Sequence, residues 1–216
     1  MRNRSSGWLA VVGWTRAALM VALTLGASSA HSASKELLVL GDSLSAEYGL
    51  QRGEGWVALL DKRLRDAHID AAIVNASISG ETTSGGRTRL PALLAQSHPS
   101  VVIVELGAND GLRGLPLVET QKNLREIIAA AKKRNARVLL IGMQLPPNYG
   151  TDYTRRFAEL YPALAKETHA SLVPFMLDAI VTQPQLFQAD RIHPTAAAHP
   201  LILDTIWPHL KPLLAK

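Results

Sequence analysis

Four short apolar runs, Leu37 to Leu40, Ala71 to Val74, Val101 to Val104 and Val138 to Ile141, limit what this chain can fold into more than any other feature. Each is followed within three residues by a glycine or an asparagine. Runs this short suit strands better than buried helices, and the lack of alternation means that both faces of each strand are covered. Between them, apolar positions recur at helical spacing. Trp56, Leu59, Leu60, Leu64 and Ala67 share one face over 55–67, and Leu117, Leu124, Ile127, Ile128 and Ala131 share one over 117–131. Doubly buried strands alternating with one-sided helices predict a three-layer α/β/α sandwich around a mostly parallel five-stranded sheet, the fifth strand beginning weakly at Leu172 and Val173. The pattern also predicts a helix over 152–166 and a short one entered near Thr88 with Pro91 in its first turn. A final helix through Ile202, Ile206, Leu210 and Leu213 is expected to kink or end near Pro208, because an interior proline costs about 3 kcal/mol.

A length of 216 residues with 47% hydrophobic side chains suits one packed domain. The absence of cysteine excludes disulfides, a thiolate nucleophile, cysteine-held zinc and an acylated-cysteine anchor. Residues 1–30 carry Arg2, Arg4 and Arg16, then the apolar run Ala17 to Ala27, then Ser28, Ser29 and Ala30. A basic start, an apolar stretch and small residues form a signal-peptide pattern, with cleavage expected after Ala30 and a cut after Ala33 as the alternative. The competing reading is a retained membrane anchor. Arg16 interrupts it and leaves too short a span for about 30 Å of hydrocarbon. The expected organisation is therefore a signal peptide over 1–30, a single domain over 31–216, and a periplasmic or secreted product. The formal charge of +5 draws on those three arginines, so the high pI does not argue for nucleic acid. The cluster Lys132, Lys133, Arg134 reads as a solvated helix end.

In parallel sheets, ligands gather beyond the carboxyl ends of the strands. Three polar blocks fall at such places or before the last helix: Gly41-Asp42-Ser43-Leu44, Gly107-Ala108-Asn109-Asp110 and Asp190-Arg191-Ile192-His193. Taken singly they are bland: Ser43 as a cap, Gly80 as a turn glycine, Asn109 as a turn former, His193 as a surface residue before Pro194. Asp42 and Asp110 read as carboxylates tying loops through backbone hydrogen bonds. Together the blocks hold a serine, an imidazole and an acid, the set that nucleophilic acyl transfer requires. Ser43 lacks the GxSxG surroundings of an α/β-hydrolase elbow.

With GDSLS at 41–45, NASISGET at 75–82, VELGANDGLRG at 104–114 and DRIHP at 190–194, the chain resembles the SGNH, or GDSL-type, hydrolases of the secreted arylesterase and multifunctional thioesterase/lysophospholipase branch. The resemblance spans nearly all the chain after residue 36. It implies a flavodoxin-like fold, Ser43 as nucleophile, His193 as general base and Asp190 as the residue orienting it. It also implies an oxyanion hole from the Ser43 and Gly80 backbone N–H groups and the Asn109 amide. A loop after Asn109, with Leu112 and Arg113, and a wall with Leu145 and Pro146 are implied to meet substrate. Arg113 is a candidate for an anionic head group. Glu47, where relatives often carry a small residue, weighs against anionic acyl carriers.

The activity so implied is hydrolysis of small-molecule acyl esters and thioesters, including aryl esters and lysophospholipids, by a monomer making transient contact with membrane lipid. No metal, cofactor or nucleic acid has a role in it. A carbohydrate O-acetylesterase is the enzymatic alternative, and an inactive periplasmic lipid-binding protein the non-enzymatic one.

Overall fold

A computed structural model describes residues 35–215, so the expected signal peptide lies outside the described residues. Five strands, β1 (Lys35–Gly41), β2 (Ala71–Asn75), β3 (Val101–Glu105), β4 (Arg137–Ile141) and β5 (Ser171–Val173), form one sheet in the order β2-β1-β3-β4-β5. Every pairing in it is parallel. The central strands β1, β3 and β4 are buried on both faces, whereas β2, at one edge, stays partly exposed.

Helices α1 (Trp56–Asp66) and α6 (His199–Leu214) pack together on one face. On the other, α4 (Leu117–Lys133) lies between α2 (Thr83–Ser97) and α5 (Thr151–Thr168), and a short α3 (Ala108–Leu112) precedes α4. The strand order reverses between β1 and β3. That switch point opens a crevice at the carboxyl edge of the sheet, and the chain leaving β1 carries Ser43 into it while the chain leaving β3 carries Asn109.

Helix α2 starts five residues earlier than expected. Thr82 caps it by accepting from Gly85 N–H at 3.3 Å, and Asp110 accepts from Thr83 N–H at 2.9 Å. Pro91 therefore sits in the helix interior, on the exposed side. Gly86 lets this helix approach the sheet, since a Cβ there would run into Leu106 Cδ1. The last helix likewise runs through Pro208 and Pro212 without ending. Both prolines are exposed, so the carbonyls they leave unpaired face solvent, while Ile202, Leu203, Ile206, Leu210 and Leu214 bury the opposite side. Lys132 does more than meet solvent: its ammonium donates to the carbonyls of Thr168 and His169 at the end of α5.

Candidate active site

The GDSLS turn is organised by its buried acid. Asp42 Oδ1 accepts from Leu44 N–H at 3.0 Å, and the Asp42 carbonyl accepts from Ser45 and Ala46. Ser43 is thereby held between two fixed neighbours with its hydroxyl facing the crevice. From the far end of the chain, Asp190 builds a tight local turn: Oδ1 accepts from the N–H groups of both Ile192 and His193 at 3.0 Å. Its other oxygen meets His193 Nδ1 at 2.6 Å, and His193 Nε2 lies 2.9 Å from Ser43 Oγ. Burial alone would raise the Asp190 pKa, but these hydrogen bonds and the His193 ring hold it down at about 2. An ionised acid at Nδ1 leaves Nε2 able to accept the serine proton.

Asn75 accepts from Ser77 N–H and donates to the Ser45 carbonyl at 2.8 Å, which shapes the loop leading to Gly80. Gly80 has φ +79, a conformation open to glycine. Among the described residues, neither Ser43 N–H nor Gly80 N–H has a hydrogen-bond acceptor. Asn109 Nδ2 donates to Asp42 Oδ2 at 3.0 Å, which uses one of its two N–H bonds. Asp110 takes the structural part expected of it, accepting from Thr83 N–H and the Thr83 hydroxyl at 2.9 and 2.5 Å.

The crevice widens into a cavity of about 1070 Å³ with Ser43, Asn109 and His193 on its wall. Leu112, Leu145 and Pro146 line it, together with Met143, Phe175 and Val181. Arg113 does not. Its guanidinium donates to the Gly80 carbonyl at 2.9 Å, bracing the loop that holds Gly80. Gly111 and Leu112 belong to α3 instead of a loop, and Tyr153 donates to the Leu115 carbonyl at 3.0 Å. Glu47 turns away as well, accepting from Gly53 and Gly55 N–H, so it ties down the approach to α1.

Three further residues support the histidine or the serine turn. The Tyr48 ring lies against the His193 imidazole, centroids 4.3 Å apart. Gln188 Nε2 donates at 2.9 Å to the carbonyls of both Tyr48 and Pro194, joining the segment after Ser43 to the one after His193. Glu105, at the end of β3, is wholly buried behind the serine turn. The sequence carries no signal for the first two. Glu105 stands inside the third block, where an acid at the close of an apolar run was readable as a feature.

Residues 39–201 match the GDSL-like lipase/acylhydrolase family. The chain belongs to it. The family's "Esterase TesA" from Pseudomonas aeruginosa is 50% identical over 184 residues, covering 85% of this chain and 92% of that protein. The Escherichia coli K12 "Thioesterase 1/protease 1/lysophospholipase L1" is 44% identical over 195 residues, 90% of either chain. Among solved GDSL-like structures, the psychrotrophic esterase EstA from Pseudoalteromonas sp., inhibited by monoethylphosphonate, superposes with a TM-score of 0.80 at 42% identity over 84% of this chain and all of that one. As a GDSL-like acylhydrolase, the protein is a serine-type hydrolase of small-molecule acyl esters and thioesters.

Proposed function

We propose that Ser43 is the nucleophile, His193 its general base and Asp190 the residue that orients and steadies His193. The observation carrying this reading is the continuous chain from Ser43 Oγ to His193 Nε2 at 2.9 Å and from His193 Nδ1 to Asp190 at 2.6 Å. Ser43 Oγ attacks the acyl carbon while Nε2 takes its proton. The carbonyl oxygen gains negative charge opposite Ser43 N–H, Gly80 N–H and the remaining Asn109 N–H, which form the oxyanion hole. The imidazolium then protonates the leaving alcohol or thiol. Water, deprotonated by the same nitrogen, releases the acid from the Ser43 ester.

Leu112, Leu145 and Pro146 form the wall against which an apolar acyl chain packs, and a cavity of about 1070 Å³ favours such chains over a lone acetyl group. The names of the relatives support a broad ester and thioester range, lysophospholipids included. Val181 and Ile192, exposed and on the cavity wall, suit brief contact of a monomer with membrane lipid. Export from the cytoplasm, with removal of residues 1–30 and a single catalytic domain over 31–216, rests on the leader pattern.

A serine-directed fluorophosphonate tests the core of this reading. Peptide mass spectrometry is expected to find the adduct on Ser43, and Ser43→Ala is expected to lose both labelling and turnover. Turnover by Ser43→Ala above about 10% of the parent, with an unchanged circular dichroism spectrum, would overturn the assignment.

A further inference from the structure

Behind the serine turn, two buried carboxyl groups take no direct part in the acyl-transfer steps. Glu105 Oε2 accepts from Asp42 N–H at 3.2 Å and from the Ser45 hydroxyl at 2.8 Å, and Ser45 in turn accepts from the Trp56 indole at 3.2 Å. Glu105 Oε1 is buried and faces no donor among the described residues. Asp42, 1% exposed, accepts from Leu44 N–H and from Asn109 Nδ2. The bond from Asp42 N–H to Glu105 Oε2 sets the two buried carboxyl groups beside one another. Two ionised carboxylates in one buried site repel each other, so one of the pair holds a proton.

The donors decide where the proton sits. Asp42 has an N–H on each oxygen, which favours its ionised form, whereas Glu105 Oε1 meets no donor among the described residues that would steady a negative charge. The pKa directions agree. Burial, then the Asp42 charge, pushes Glu105 well above the usual carboxylate range, while burial lifts Asp42 only to about 6. The other titratable groups around the pair are His193, whose charge acts on Asp42, and Tyr161 and Asp110, which share the buried region on the α5 and α3 side.

We propose that Glu105 is a positioning residue: neutral and accepting from Asp42 N–H, it leaves the Asp42 carboxylate as the charged member of the pair, and that charge fixes which way the Asn109 amide points. An amide can turn its NH2 or its carbonyl toward a neighbour at little steric cost. Only the NH2 end satisfies an ionised Asp42, and the same nitrogen then offers its second N–H to the crevice. A neutral Asp42 removes that discrimination. The inference rests on the oxyanion role given to Asn109 above.

The test measures kcat and KM on a chromogenic ester for Glu105→Gln, Glu105→Leu and Asp42→Asn, each alone and combined with Asn109→Ala. Glu105→Leu and Asp42→Asn are expected to lower kcat by about tenfold or more with KM within about twofold, while Glu105→Gln, which retains a donor, keeps kcat within about threefold. In the Asn109→Ala background the loss should shrink below about twofold, because the residue through which the pair acts is gone. The infrared difference between parent and Glu105→Gln at neutral pH should contain a protonated-carboxyl band. Equal factors in both backgrounds, or no such band, would overturn the proposal. Should Glu105→Leu fail to fold, Asp42→Asn and the infrared spectrum decide it. An Asn109→Ala enzyme with parental kcat would instead remove the oxyanion assignment itself.

Discussion

The amide of Asn109 gives one N–H to Asp42, and its free N–H is the one assigned above to the oxyanion. If the free N–H meets charge only after Ser43 attacks, Asn109→Ala should lower kcat by roughly 10²–10³. Binding of substrate to a Ser43→Ala enzyme should change little on adding Asn109→Ala. Weakened binding with a normal acylation rate would place Asn109 in substrate positioning instead. Residues of this kind are legible in a sequence because the chemistry demands their type: a serine, an imidazole, an acid and an amide each have few substitutes. The supports are harder to read. Gln188 works by reaching two backbone carbonyls that are distant in sequence, and many polar side chains could look the same on paper. Arg113 shows the converse: its charge suggested an anionic ligand, and nothing in the sequence signals that one of its N–H groups also braces the Gly80 carbonyl.

Among the elements, the strands were the most readable because burial on both faces leaves an uninterrupted apolar run. The helices containing prolines were the least. Local rules place a boundary at Pro91 or Pro208, but exposed prolines release only solvent-facing carbonyls, and packing of the opposite face offsets the lost bond. Gly86 is the point at which α2 depends on close approach. Gly86→Ala adds a methyl group against Leu106, and despite alanine's better helix propensity it should destabilise the fold by about 1–3 kcal/mol, read as a lower denaturant midpoint at unchanged m-value. A rise in the midpoint would mean that Leu106 gives way freely.

For the whole molecule, buried titratable groups set opposing responses to acid. His199 is nearly inaccessible and accepts from Trp56 N–H through Nδ1 at 3.0 Å, linking α6 to the start of α1. Burial lowers its pKa from 6.5 to about 4 against the pull of Glu47 and Glu54. The unfolded chain therefore binds the extra proton first, and the stability that neutral His199 contributes above pH 6.5 is lost as the pH falls toward about 4. Asp42, raised from 3.8 to about 6, acts the other way: its contribution is full below pH 3.8 and is lost as the pH rises through about 6. His199→Asn keeps an acceptor for Trp56 without the titration. Relative to the parent, its melting temperature should improve as the pH drops from about 6.5 to 4, and a constant difference would exclude His199 as the source. The 150-residue separation between Ser43 and His193 has a kinetic consequence. His193 lies in the stretch between β5 and α6, which holds only 3-10 turns and is closed by contacts such as Gln188 N–H to the His193 carbonyl at 2.7 Å and Thr195 N–H to the Leu186 carbonyl at 2.8 Å. Closing such a segment onto an already paired sheet is a late, non-local event. During refolding, far-UV ellipticity should recover before turnover does, so that the catalytic rate itself becomes a clock for the last docking step.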